Sequence, residues 1–229
     1  MGRRTVKRQL ALLSATVLAL CGLAGAAWGY ARGWHPETEQ FPIQGVSVSA
    51  AQGAIHWPTL KAEGADIAYV QATAGAQRDP MFETNWAESR SAELRRGAWH
   101  GYNLCRDAAE QATAFIATVP REAKALPPAI VLQFEENCAM RPSQAHVQKQ
   151  VATLVGMIEA HSGKHAILRV EDDFEDAYAI GAVIQRTQWR ARNFIAPDQE
   201  DSPWVMWRAS DFRRIDGVEG PVEWNVVRE

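Results

Sequence analysis

Residues 129–170 read AIVLQFEENCAMRPSQAHVQKQVATLVGMIEAHSGKHAILRV: a short apolar run, a long amphipathic stretch and a second apolar run. Val147, Val151, Leu154, Val155 and Ile158 recur at the spacing of one helical face, and Ser143 stands where an N-cap belongs. The spacing predicts a helix from about Pro142 to Ala160. The flanking runs, Ala129 to Glu135 and Ala166 to Val170, read as strands, so the stretch is a strand–helix–strand unit of a parallel sheet.

The same alternation continues on both sides. Upstream, Ile43 to Val48, Ile67 to Gln71 and Gly97 to Tyr102 read as strands. A second helix is expected near Asp107, and a third near Asp172, where the acids of Asp172-Asp173-Phe174-Glu175 suit the positive end of a helix dipole. After Tyr178 the pattern changes: Thr187 to Asn193, Trp204 to Ala209 and Val222 to Val227 look like strands joined by loops alone. Five strand–helix units and three more strands make eight strands, enough to close a barrel. The chain shows no repeat, low-complexity tract or interior linker, so one α/β domain is expected from about Phe41 to Glu229.

The composition agrees. With 229 residues, 47% hydrophobic and 22% charged, the chain is long enough for a full core and too apolar for disorder. Residues 1–31 stand apart. Arg3, Arg4, Lys7 and Arg8 precede an uncharged run rich in Leu and Ala, of which Leu10 to Tyr30 is 21 residues. That is close to the ~20 needed to span a bilayer as a helix, with the basic flank on the cytoplasmic side. Ala24-Gly25-Ala26 is a small-residue cleavage site, so the segment is either a membrane anchor or a cleaved export signal. Both place the rest of the chain on the far side of the membrane. Large Leu20 before Cys21 argues against lipidation.

Setting the leader's four basic residues aside from 24 Lys+Arg leaves 20 against 27 Asp+Glu, an acidic balance that argues against nucleic acid as a partner. Cys105 and Cys138 remain outside the leader. In an oxidising compartment such a pair reads as one disulfide, the alternative being two separate buried thiols. His161 and His165 have the spacing of helical metal ligands, but Gly163 interrupts a helix there and no acidic partner is evident. No metal site is expected.

Several segments carry a family resemblance. Gly45-Val46-Ser47-Val48-Ser49 with Gln52-Gly53-Ala54-Ile55-His56-Trp57 resembles the opening strand and loop G-[IV]-D-V-S-x-x-Q-G-x-I-D-W of the glycoside hydrolase family 25 muramidases. Ala68 to Gly75, Phe82-x-x-Asn85-Trp86 with Leu94 to His100, Leu126 to Glu135, and Ile215 to Asn225 resemble later segments of that family in the same order. The resemblance covers residues 42–227. It implies a barrel of eight strands with about five helices, hydrolysis of the β-1,4 bond between N-acetylmuramic acid and N-acetylglucosamine of peptidoglycan, and no cofactor. Chemistry in such barrels sits at the C-terminal strand ends.

The departures from the pattern bear on activity. Glycoside hydrolysis uses two carboxyl groups, one donating a proton and one ionised. At the four acidic motif positions this chain has Ser47 for Asp, Gln133 for Asp, Glu135 retained, and Glu223 for Asp. Glu135 holds the general-acid position. Residues two apart on a strand share a face, so Gln133 is expected beside Glu135, with Phe134 and Glu136 turned away. A Gln amide can hydrogen-bond a sugar but cannot take a proton. Ala50-Ala51, Gln71 and Ala74 replace further polar family residues.

The expectation is a muramidase-like barrel in the cell envelope that acts weakly or only binds, through Ser47, Gln133, Glu223, Trp99, Tyr102 and Trp207, with glycan strands or another envelope protein as partner. The alternative is a working muramidase with Glu135 as acid and Glu223 or a substrate acetamido group in support. Each residue also has a plainer reading: Glu135 or Glu223 as a surface carboxylate, the tryptophans as core, and Glu171 to Asp176 as a solvated helix start.

Overall fold

The computed structural model describes residues 2–198 and 203–228. They divide into two compact units, Met1–Trp34 and His35–Glu229. In the first, helix α1 spans Gly2–Gly33, and its segment Leu12–Gly33 is long and apolar enough to cross a membrane.

The second unit is a closed barrel. Its strands are β1 (Ile43–Val48), β2 (Ile67–Ala74), a two-residue β3 (Gln77–Arg78), β4 (Arg95–Gly101), β5 (Ala129–Leu132), β6 (Ile167–Val170), β7 (Thr187–Ala191), β8 (Trp204–Arg213) and β9 (Val222–Val227). From β1 through β8 the barrel strands pair in parallel, β9 lies antiparallel to both β8 and β1, and β1 also pairs with β2, which closes the ring. β3 stands outside it as a hairpin on β2.

Five helical crossovers follow the first five barrel strands. They are α2 (Trp57–Ala62), α3 (Phe82–Ser91), α4 (Ala108–Thr118), α5 (Gln144–Ser162), and a pair α6 (Asp172–Tyr178) and α7 (Ile180–Val183) broken at Ala179, whose φ is 45°. The eight barrel strands and five crossovers match the count made from periodicity. The helix expected over Pro142 to Ala160 is α5. It begins beyond an extended Ser143 that makes no side-chain cap bond, and ends at left-handed Gly163, whose N–H donates to the Glu159 carbonyl at 2.8 Å. Its five stripe residues are all buried, each contributing roughly 1.5–3 kcal/mol of apolar burial. Asp107 caps α4 by accepting from the N–H groups of Ala109 and Glu110.

Alternating strand residues feed two layers. Ile67, Tyr69, Ala129, Val131, Ile167, Trp189 and Met206 fill the barrel interior. Val46, Ala68, Val70, Ile130, Leu132 and Leu168 pack outward with Leu60, Phe115, Val151 and Leu154 of the helices. Gly97 is required by this filling, because a Cβ there would lie 2.4 Å from the Tyr69 ring.

Several boundaries differ from those read in sequence. β5 stops at Leu132 rather than Glu135, because the chain turns out of the sheet once the Leu132 carbonyl has accepted the Glu171 N–H. β8 runs on to Arg213 through two register irregularities, and β2 extends to Ala74 past one.

Candidate active site at the barrel mouth

The C-terminal ends of the parallel strands and the N-terminal end of β9 form one mouth, and its loops are tied by backbone geometry. Ser49 and Gln52 cap the 3-10 turn Ala50–Gln52 reciprocally, and Gln52 Nε2 reaches the Pro221 carbonyl before β9 at 2.9 Å. The buried Asp79 carboxylate accepts from the N–H groups of Ala50 and Met81, both at 2.8 Å, joining the loop after β1 to the start of α3. Cys105 and Cys138 form a disulfide that links the loops after β4 and β5, with Cα atoms 5.8 Å apart. Of the two readings of this pair, the disulfide holds.

At the centre, Ser47 of β1 is register partner to Glu223 of β9. The Ser47 hydroxyl is buried and accepts from Asn225 Nδ2 at 2.9 Å, while Asn225 Oδ1 accepts from Trp189 Nε1 at 3.0 Å. Glu223 is held by two guanidinium groups. Arg169 Nη1, from the penultimate position of β6, reaches Glu223 Oε1 at 3.0 Å and Oε2 at 2.8 Å, and Arg208 Nη1 of β8 lies 3.4 Å from Oε1.

Both arginines have further acidic neighbours. Arg169 Nε lies 3.2 Å from Glu171 Oε1, close enough for an ion pair but not aligned as a hydrogen bond. Arg208 Nη1 lies 3.5 Å from Asp211 Oδ2. The Arg169 side chain is only 7% exposed and its guanidinium sits 4.8 Å from the centre of the Trp189 ring, so the barrel interior supplies a face as well as counter-charges. A buried cation needs such pairing, because desolvation of an unpaired charge costs several kcal/mol.

Glu135 lies past the end of β5, half-buried. Gln133 Nε2 donates to Glu135 Oε1 at 3.2 Å, so these two side chains meet as their spacing indicated, although neither residue is in the strand. Phe134 turns the other way, onto Phe174 and Tyr178, and Glu136 is exposed. Half-buried Trp99 packs against the interior cluster, and its Nε1 donates to the Val48 carbonyl at 3.3 Å.

Two of the expected binding residues lie elsewhere. Tyr102 is buried in the layer between sheet and helices, edge-on to Phe174, and burial followed by the charges of Tyr178 and Asp107 pushes its phenol up to about 12. Trp207 is buried against Phe41 and donates to the Arg192 carbonyl at 2.6 Å, while its neighbours Met206 and Arg208 serve the interior. Arg169, Arg208 and Asn225 were not singled out from sequence. A charge in the apolar run Ile167–Val170, at a parity that faces inward, was the available signal for Arg169.

The sequence profile of the glycosyl hydrolases family 25 matches residues 46–218. The chain belongs to glycosyl hydrolase family 25. Among curated proteins it is 31% identical over 193 residues to the uncharacterized protein YegX of Escherichia coli K12, covering 81% of this chain and 70% of YegX. To lysozyme M1 of Streptomyces globisporus it is 24% identical over 199 residues, covering 80% and 67%. A family 25 glycosyl hydrolase from Bacillus anthracis superimposes with a TM-score of 0.78 at 28% identity, covering 85% of this chain and 93% of that one. The lysozyme of Streptomyces coelicolor superimposes at 0.72 with 22% identity, covering 82% and 92%, and shares the fold. As a family 25 barrel, this chain presents at its mouth one acid, Glu135, facing the Gln133 amide, and a second acid, Glu223, enclosed by arginines.

Proposed function

We propose that this chain is a peptidoglycan-directed family 25 domain that binds glycan strands and has lost, or nearly lost, hydrolysis. The observation that carries the reading is the contact of Arg169 Nη1 with both oxygens of Glu223, reinforced by Arg208. The reaction needs an ionised carboxylate free to act as base, as nucleophile or on the reacting sugar. A carboxylate spending both oxygens on a buried guanidinium is not free. Ser47 supplies a hydroxyl that accepts from Asn225, and no neighbouring base is hydrogen-bonded to it among the described residues. Gln133 supplies an amide with nothing to titrate.

The groups that remain suit sugar recognition: half-buried Trp99, the Gln133 amide and the Glu135 carboxylate offer an aromatic face, donors and acceptors. Residues Leu12–Gly33 support attachment to the membrane, which would hold the barrel on the envelope side, and the alternative of cleavage gives a secreted domain.

Retention on insoluble peptidoglycan tests the binding half. The purified full-length protein in mild detergent is expected to co-sediment and to be released by soluble glycan fragments. Trp99→Ala and Gln133→Ala are each expected to weaken retention several-fold. A protein that stays in the supernatant at all concentrations would transfer the role to a protein partner in the envelope.

A further inference from the structure

A cleft beside the mouth carries charges that the site above does not use. It lies between the C-terminal ends of β6 and β7 and is lined by Glu171, Asp172, Arg190, Arg192, Pro197 and Asp198. Arg190 and Arg192 are two apart along β7 and its extension, so both project from the same side of the strand. Among the described residues, Arg190, Arg192, Asp172 and Asp198 make no ion pair and no side-chain hydrogen bond, with each other or with anything else. Besides Glu171, which pairs with Arg169, two cations and two carboxylates line this cleft without direct contact among the described residues.

Glu171 connects this cleft to the mouth. It lines the cleft, and its Oε1 lies 3.2 Å from Arg169 Nε, whose Nη1 holds Glu223. A chain lying in the mouth thus passes next to the cleft, and a side branch on that chain can enter it. The branch that fits is one bearing both signs of charge: carboxylates for the two guanidinium groups, which bind them in fork geometry, and an ammonium for Asp172 and Asp198. A bare neutral sugar makes no use of these groups.

We infer that this cleft binds the peptide branch of a peptide-bearing glycan, through Arg190 and Arg192 on its carboxylates and Asp172 and Asp198 on its ammonium. The inference rests on the glycan-binding reading of the mouth and extends it from bare glycan to peptide-substituted glycan. None of the four side chains is buried, so their replacement leaves the barrel intact, which a thermal melt checks.

The test is titration of the full-length protein, followed by calorimetry or amide chemical shifts, with two probes. One is a free tetrapeptide carrying two carboxylates and one ammonium; the other is a bare β-1,4 N-acetylglucosamine tetramer. The peptide is expected to bind, with affinity falling at least ten-fold in Arg190→Gln/Arg192→Gln and several-fold in Asp172→Asn/Asp198→Asn, and the tetramer is expected to bind all three proteins alike. A peptide that does not bind, or binds all three proteins equally, overturns the cleft. If the peptide binds through the arginines and the tetramer does not bind, the cleft stands and the glycan reading of the mouth falls. If only the tetramer binds, the mouth stands and the cleft falls.

Discussion

Arg169 Nη1 contacts both carboxylate oxygens of Glu223, at 3.0 and 2.8 Å, across the mouth of the barrel from β6 to β9. The pair joins a buried cation to an acid that is itself three-quarters buried, so each side depends on the other for its charge balance. Removing one partner should cost more than removing both, since the survivor keeps only its weaker contact, Arg208 at 3.4 Å from Glu223 or Glu171 at 3.2 Å from Arg169. Arg169→Met is expected to destabilise the barrel by about 2–4 kcal/mol, lowering the melting temperature by several degrees, and Arg169→Met/Glu223→Leu to recover at least half of that. Equal losses in the single and double variants would mean that the pair is not coupled.

The disulfide should matter for the whole fold and for the loop that bears Glu135. Closing 33 residues of chain with Cys105–Cys138 corresponds to about 3–4 kcal/mol in the chain-entropy description. Chemical denaturation with and without reductant is expected to show that loss, and hydrogen exchange at residues 133–138 to quicken before the strands do. An unchanged midpoint on full reduction would contradict it.

His100 gives a pH dependence whose sign is fixed by burial. Its ring is completely buried, with Nδ1 2.7 Å from Thr73 Oγ1 and Nε2 3.3 Å from Gln111 Oε1. Burial lowers its pKa to about 4, against a smaller upward pull from the Gln111 bond. Between pH 6.5 and about 4 the unfolded chain binds this proton and the folded one does not, so stability falls as pH falls through that window. The loss attributable to His100 is about 3 kcal/mol. His100→Gln is expected to flatten the stability profile in that range. A profile as steep as that of the parent would assign the acid sensitivity elsewhere.

Arg213 is a different kind of buried cation. It is 4% exposed, stacks 3.7 Å from the centre of the Trp224 ring, and leaves Nε and Nη1 without hydrogen-bond partners. Burial lowers its pKa to about 10, opposed by the charge of Glu63. An apolar side chain of similar length removes the desolvation cost and keeps the packing, so Arg213→Met is expected to leave stability unchanged or raise it by about 1 kcal/mol. A loss above about 1 kcal/mol would show that stacking on Trp224 outweighs desolvation.

Most of the barrel was legible because its strands and helices carry different periods. β1 and β9 begin and end where their apolar runs do, and α5 follows its stripe. β3 could not be read, since two polar residues in a hairpin have no period at all. The mouth was harder, because the inner layer changes character along the strand: Trp189 and Met206 fill the middle, and Arg169, Arg208 and Glu223 follow at the top. A charge at a strand end reads as solvent-facing unless the barrel closes over it. Tyr102 illustrates parity: it is three residues from Trp99 and so faces the opposite layer, as period two requires. The ends of β5 and β8 depend on where neighbouring strands stop pairing, which no single segment records.

The proposed loss of hydrolysis is tested most directly by incubating the purified full-length protein with purified peptidoglycan and measuring released muropeptides and new reducing ends, beside Glu135→Gln and an active lysozyme. Release indistinguishable between the parent protein and Glu135→Gln, and at least a thousand-fold below the lysozyme, is the expected result. Release that depends on Glu135 at a rate near that of the lysozyme would contradict it, and would mean that the mouth finds its second catalytic group despite the hold of Arg169 on Glu223.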